Sequence, residues 1–238
     1  MVGKGWAPSA IRLADGRVLI LDGISVDDAD APDPLLATAE VYDPATNTFT
    51  ATGPMTIARG PAVLALLPDG RVLVVGGTHP DSGAAELFDP ATGAFTLTSP
   101  LPAAGPHPAG GIYWPEEVAA AVALPDGRVL VPGRRCMESA STIEGRFPTA
   151  AAIYDPTTET FTASSPMPHC VETATALPDG RVFLTAFWGD TNWSGIYDPV
   201  TDTVTETAAP PAGRYMDVVG LRDGRVLVVA NGVAWIFQ

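Results

Sequence analysis

Short apolar runs alternate with turn formers along the whole chain, the pattern of strands rather than of amphipathic helices. The clearest stretch is Leu66-Leu67-Pro68-Asp69-Gly70-Arg71-Val72-Leu73-Val74-Val75-Gly76-Gly77. An apolar segment reaches a Pro-Asp-Gly turn and leaves it as a second apolar segment that stops at paired glycines, which predicts a β-hairpin. The turn recurs at Ala14-Asp15-Gly16-Arg17, Pro125-Asp126-Gly127-Arg128, Pro178-Asp179-Gly180-Arg181 and Arg222-Asp223-Gly224-Arg225. Its aspartates stand at 15, 69, 126, 179 and 223, with spacings of 54, 57, 53 and 44 residues. A second hairpin falls between successive copies, as Tyr42-Asp43-Pro44-Ala45-Thr46, Phe88-Asp89-Pro90-Ala91-Thr92, Tyr154-Asp155-Pro156-Thr157-Thr158 and Tyr197-Asp198-Pro199-Val200-Thr201.

Four strands per repeat at a period of about 50 residues is the signature of a propeller blade, whose faces are buried only by stacking on neighbouring blades. The pattern therefore predicts an all-β fold: a β-propeller of five blades of antiparallel strands, the last incomplete or three-stranded. The blades are expected near 7–52, 61–98, 117–163, 170–207 and 214–238, filling 1–238 as a single domain. Val233 to Phe237 is the expected third strand of the last blade.

The double glycine closing the second strand, as at Gly76-Gly77, and the Tyr-Asp-Pro-x-Thr-x-x-Phe/Val-Thr element resemble the kelch and galactose-oxidase-like propeller repeats. The resemblance covers nearly the whole chain, and it implies a fold often used as a protein-interaction module. Similar propellers include copper-dependent galactose oxidases and iron-dependent plant specifier proteins. The Glu-x-x-x-Asp-x-x-x-His arrangement that the specifier resemblance implies is not present, and Tyr113, Tyr215, His169 and the cysteines do not reproduce the oxidase copper motif, so neither activity carries over.

Charge narrows the partners. Thirteen Lys and Arg against 27 Asp and Glu give a net charge of -14, which disfavours a phosphate backbone or an anionic membrane surface. Small-molecule or protein ligands remain, together with cations. No apolar run approaches the roughly 20 residues of a membrane-spanning helix, and the sequence from Met1 to Trp6 lacks the pattern of a signal peptide, so a soluble protein is expected. The two cysteines can form at most one bridge.

In an up-and-down blade the Asp-Gly and Asp-Pro turns share one rim, where their aspartates act as turn formers. The opposite rim collects every irregular loop, and binding residues tend to ride on such loops. The ligand-binding candidates are Trp6, Trp114, Glu117, Phe147, Glu172, Trp188, Trp193, Arg214, Tyr215 and Asp217, an aromatic and charged set assigned to that rim. Catalytic candidates are Glu117, Glu172, His169 and Arg214; Glu116 and Glu138 are further carboxylates that could join an acid/base pair. Cys136 and Cys170 read as a disulfide or simple packing, as ligands of a transition metal with His169 or Glu138, or as a reactive thiol. His79 and His107 read as loop hydrogen-bonders, and the acidic loop at Asp27, Asp28, Asp30 and Asp33 as a solvated turn. The leading functional expectation is a binding module for a small molecule or protein. The alternative is a metal-assisted or acid/base isomerase, cyclase or hydrolase working at the channel mouth on the same rim.

Overall fold

The computed structural model describes residues 5–6, 8–25, 35–77, 83–102, 118, 120–132, 149–169, 171–188, 191–209, 217–230 and 233–237. They form five antiparallel sheets, the blades of an all-β five-bladed propeller whose last sheet has three strands. A two-stranded ribbon, β1 (Gly5–Trp6) with β4 (Ile24–Ser25), accompanies them.

Blade 1 is built from β2 (Ser9–Arg12), β3 (Val18–Leu21), β5 (Ala39–Asp43) and β6 (Thr48–Ala51), and blade 2 from β7 (Val63–Leu66), β8 (Val72–Val75), β9 (Ala85–Asp89) and β10 (Ala94–Leu97). Blade 3 comprises β11 (Val122–Ala123), β12 (Val129–Val131), β13 (Thr149–Asp155) and β14 (Thr160–Met167). Blade 4 comprises β15 (Thr173–Ala176), β16 (Val182–Trp188), β17 (Thr191–Asp198) and β18 (Thr203–Glu206); blade 5 has β19 (Asp217–Gly220), β20 (Val226–Ala230) and β21 (Val233–Phe237).

The same local chemistry makes each first hairpin. In blade 2 the Asp69 carboxylate accepts the Arg71 backbone N–H at 3.0 Å and the Arg71 Nε–H at 2.7 Å. Gly70 takes a φ of +87°, a left-handed value that favours glycine. The aspartate–arginine pair is repeated at Asp15–Arg17, Asp126–Arg128, Asp179–Arg181 and Asp223–Arg225. These exposed pairs fix turns and contribute little stability.

The chain divides into two compact units, Met1–Val118 with Asp155–Phe161, and Ala119–Tyr154 with Thr162–Gln238. In the first, Leu19, Leu21, Ala39 and Val41 of blade 1 and Val72, Val74 and Phe88 of blade 2 share one core. Ser9 Oγ stitches the two inner strands by donating to the Ala62 carbonyl and accepting the Ala62 N–H. In the second, one core joins Leu130 and Ile153 to Leu184 and Tyr197, and another joins Leu177 and Phe183 to Val226 and Val228. Period-2 alternation explains this layering: one face of a blade meets the face of the next. Among the described residues no helix is long and apolar enough to cross a membrane.

Candidate functional site

Blade 2 shows what the repeat places at its irregular end. Arg59 and Glu86 are both fully buried, with Arg59 Nη2–H and Nε–H donating to Glu86 Oε1 at 3.0 and 3.2 Å. Arg59 Nη1–H reaches the carbonyls of Gly76 and Ala84 at 2.8 and 2.9 Å. Glu86 also accepts the backbone N–H groups of Thr56 and Ile57. Burial lowers the Arg59 pKa, and the attraction of Glu86 opposes that shift. The pair is saturated with partners and leaves the arginine no opening for a ligand.

Blade 4 departs from that plan at the corresponding place. Arg59 and His169 each stand ten residues ahead of a turn aspartate, Asp69 and Asp179. Glu86 lies opposite Val74, whereas Gly195 lies opposite the matching Leu184. The buried Arg–Glu pair thus becomes His169 with a glycine. Trp193, two residues before Gly195 on the same face of β17, fills the vacated space: a Cβ on Gly195 would lie 2.7 Å from its Cζ2 and Cη2. The indole packs against the core that contains Val182, Leu184 and Tyr197.

His169 completes the arrangement from the bend before β15. Its ring centroid lies 4.9 Å from that of Trp193, with the planes tilted by 45°. Its Nε2 is 3.9 Å from Glu206 Oε1, too long for a hydrogen bond but within ion-pair range for a protonated ring. Trp193 Nε1 is buried and has no hydrogen-bond partner. On the opposite face of the same strands the Thr173 and Thr185 hydroxyls lie 2.6 Å apart, and Ser194 Oγ bonds the Thr207 hydroxyl and the Ala208 carbonyl. An apolar ring, a half-buried imidazole and an exposed carboxylate therefore meet at one end of this blade.

The structure brings together His169 and Trp193 from the sequence candidates. Glu172 sits half-buried just ahead of β15, its backbone N–H bonded to the Thr185 carbonyl, and Asp217 opens β19 as an exposed residue of another sheet. The Trp6 backbone pairs with Ile24 in the ribbon. Trp188 and Trp193, expected in a loop, instead lie on paired strands, Trp188 opposite Thr191 and Trp193 opposite Ala186. The correction has a plain cause: Gly189-Asp190 is a two-residue hairpin signal flanked on both sides by aromatic and β-branched residues. Trp114, Glu116, Glu117, Phe147, Arg214, Tyr215, Cys136, Glu138 and Cys170 lie outside the described residues, as do His79, His107 and the acidic loop. Among the described residues no group of three or more His, Cys, Asp or Glu is placed to hold a metal ion.

Two features escaped the sequence. One is an apolar cleft of about 410 Å³ between blades 4 and 5, floored by Phe183, Ile196, Val226 and Phe237 and edged by Arg181 and Arg222. Its residues sit in strands and turns that read as regular repeat; the three-stranded last blade was the available signal. The other is a polar knot in which Asp202 accepts from Ser164 Oγ at 2.6 Å, Tyr197 Oη at 2.9 Å and the Ser165 backbone N–H at 3.0 Å. Burial raises the Asp202 pKa, but the bonds from Ser164, Tyr197 and Ser165 outweigh it and hold the carboxyl below its ordinary range. Burial pushes the Tyr197 hydroxyl up to about 12. This knot ties β14 to the Asp-Pro turn of blade 4 and serves the scaffold.

No family model matches the chain, and no curated protein matches it. Among solved structures it is similar to one described as a novel fungal alcohol oxidase with catalytic diversity among the AA5 family, in complex with copper. The identity is 16% and the TM-score 0.49, over 94% of this chain and 58% of the oxidase chain, so this chain spans less than two thirds of that protein.

Proposed function

We propose that the protein is a binding module of the kelch and galactose-oxidase-like kind, one domain of stacked blades that recognises a small molecule or protein through its irregular-loop rim. Trp193 and His169 are the centre of that surface in blade 4, with Glu172, Trp188 and Asp217 as further contacts. The observation that carries this reading is the His169–Trp193 stack in place of a closed ion pair, with Trp193 Nε1 buried and unpartnered. An indole, an imidazole and the Glu206 carboxylate together suit a neutral or cationic aromatic ligand.

A fragment library screened by indole Nε1–H NMR tests this assignment. Hits should shift the Trp193 resonance, assigned with Trp193→Phe, and weaken about tenfold or more in His169→Ala, the scale of one lost stacking or hydrogen-bond contact. Hits that leave Trp193 unmoved, or bind His169→Ala unchanged, would remove this end of blade 4 from the binding surface.

A further inference from the structure

The outer hairpins of blades 2, 3 and 4 bond to the blade before them by one repeated rule. The residue ten after an Asp-Pro aspartate donates its backbone N–H to the fifth turn position of the next blade: Gly53 to the Gly93 carbonyl at 2.8 Å, Ser99 to the Glu159 carbonyl at 3.4 Å, and Ser165 to the Asp202 carboxylate at 3.0 Å. The turn arginine reaches across as well, with Arg17 Nη2–H donating to the Pro90 carbonyl at 3.3 Å and Arg71 Nη1–H to Glu159 Oε1 at 2.6 Å. Two residues after the fifth position an apolar side chain enters the junction. Phe95 is buried in the core shared by blades 1 and 2, and Val204 packs against the core that joins blades 3 and 4.

The junction of blades 4 and 5 has the first half of this arrangement without the second. The sheet order β19-β20-β21 leaves the outer edge of β21 unpaired among the described residues. The donor that the rule picks out is the N–H of Ala208, ten residues after Asp198, and among the described residues it bonds no group of the chain. The Arg181 side chain bonds only Asp179 of its own turn. Phe237 lies opposite Val226 as Phe88 lies opposite Val72, and the apolar cleft of about 410 Å³ opens where Phe95 would stand beside Phe88. Ile196, Thr207 and Ala208 line it from blade 4, and Phe183 and Phe237 meet in it with ring centroids 6.0 Å apart. The aspartates at its edge are engaged, Asp179 with Arg181 and Asp223 with Arg225, whereas the exposed Arg222 makes no ion pair among the described residues.

We propose that this cleft receives an extended segment of a partner protein in which an acidic residue stands two before a phenylalanine, as Glu159 stands before Phe161. The ring fills the cleft against Ile196 and Phe237, the acid pairs with Arg181 and Arg222, and its backbone carbonyl accepts the Ala208 N–H. Ile196 and Trp193 point to opposite faces of β17, so this site stands or falls independently of the His169–Trp193 surface.

Calorimetric titration of the full chain with the acetylated and amidated peptide Glu-Thr-Phe-Thr-Ala-Ser, the sequence of Glu159 to Ser164, tests the proposal. One-site saturable binding is expected, weakened about tenfold or more when the peptide carries alanine in place of phenylalanine. Ala208→Pro, which removes the N–H, should weaken it about fivefold. Arg222→Glu changes an exposed side chain and covers the case in which Ala208→Pro does not fold. It should weaken the parent peptide about tenfold and leave a peptide with glutamine in place of glutamate nearly unchanged. Four results overturn the proposal: no saturable binding, equal binding of the alanine peptide, binding that both variants leave unchanged, and N-acetylphenylalanine amide binding as tightly as the hexapeptide, which would assign the cleft to a small aromatic molecule.

Discussion

At the residue scale, the Asp-Pro turns show one backbone demand met by three different side chains and a glycine. The fifth position of each turn is left-handed, with φ of 54° at Asn47, 71° at Gly93, 55° at Glu159 and 53° at Asp202. Outside glycine that conformation costs about 1 kcal/mol, somewhat less for Asn and Asp. Asn47 offsets it with one exposed bond from Tyr42 Oη at 3.1 Å, whereas Asp202 accepts from Ser164, Ser165 and Tyr197 in a partly buried setting. Replacing each with glycine therefore separates strain from bonding. Asn47→Gly should leave stability within about 0.5 kcal/mol of the parent, because relieved strain and one lost exposed bond nearly cancel. Asp202→Gly should cost about 2–3 kcal/mol, since it removes the carboxylate that four donors, Ser164 Oγ, Ser165 N–H, Ser165 Oγ and Tyr197 Oη, now bond. Urea denaturation of the two variants measures both, and equal effects would show that the polar knot adds nothing beyond the turn.

At the element scale, what was legible in the sequence was what is local. Asp-Gly-Arg and Asp-Pro-x-Thr turns lie within a few residues of the strands they join, so the hairpins around Asp69 and Asp89 could be read directly, together with the three-stranded last blade. Pairings across the repeat could not. Glu86 stands three residues ahead of its turn aspartate Asp89, as Glu40 does ahead of Asp43, but its partner Arg59 sits 27 residues earlier in the link between blades and stands out by no motif of its own. The site was legible in the same partial way: Trp193 and His169 were singled out for residue type, while their stacking depends on Gly195 replacing a glutamate. The Arg59–Glu86 pair gives the element-scale prediction. Arg59→Leu alone leaves a buried carboxylate without its cation and should destabilise the protein by about 3–5 kcal/mol. Adding Glu86→Leu should recover part of that loss, because the unpaired charge is gone, while the Thr56 and Ile57 N–H groups lose their acceptor and the Gly76 and Ala84 carbonyls their donor. A double-mutant cycle by chemical denaturation checks it, and a double variant as unstable as the sum of the singles would show that the pair is not coupled.

At the scale of the whole molecule, the balance of charge sets the response to salt and acid. Of the 13 cationic side chains, Arg17, Arg71, Arg128, Arg181 and Arg225 pair with turn aspartates and Arg59 is buried with Glu86, so the net charge of -14 rests on acids in excess of these pairs. Self-repulsion of that size opposes the compact state, and salt screens it over a Debye length that falls from about 30 Å at 0.01 M to about 10 Å at 0.1 M. Raising the ionic strength across that range at pH 7 should therefore raise the melting temperature, and the effect should vanish near the pI of about 4.4, where no net charge remains to screen. Further acid acts in the opposite sense. The arginine side chains two residues on hold Asp126, Asp179 and Asp223 below the ordinary carboxyl value of 3.8, and the Asp202 knot does the same against its own burial. Groups whose folded pKa is depressed contribute their stability above the unfolded value and lose it as the pH falls through the folded one. The melting temperature should accordingly hold or rise from pH 7 to the pI and drop below about pH 3.8 at every salt concentration. Scanning calorimetry over pH and salt decides it: a melting temperature that falls with added salt at pH 7 would mean that the surface Asp–Arg pairs, rather than net repulsion, govern the stability of the molecule.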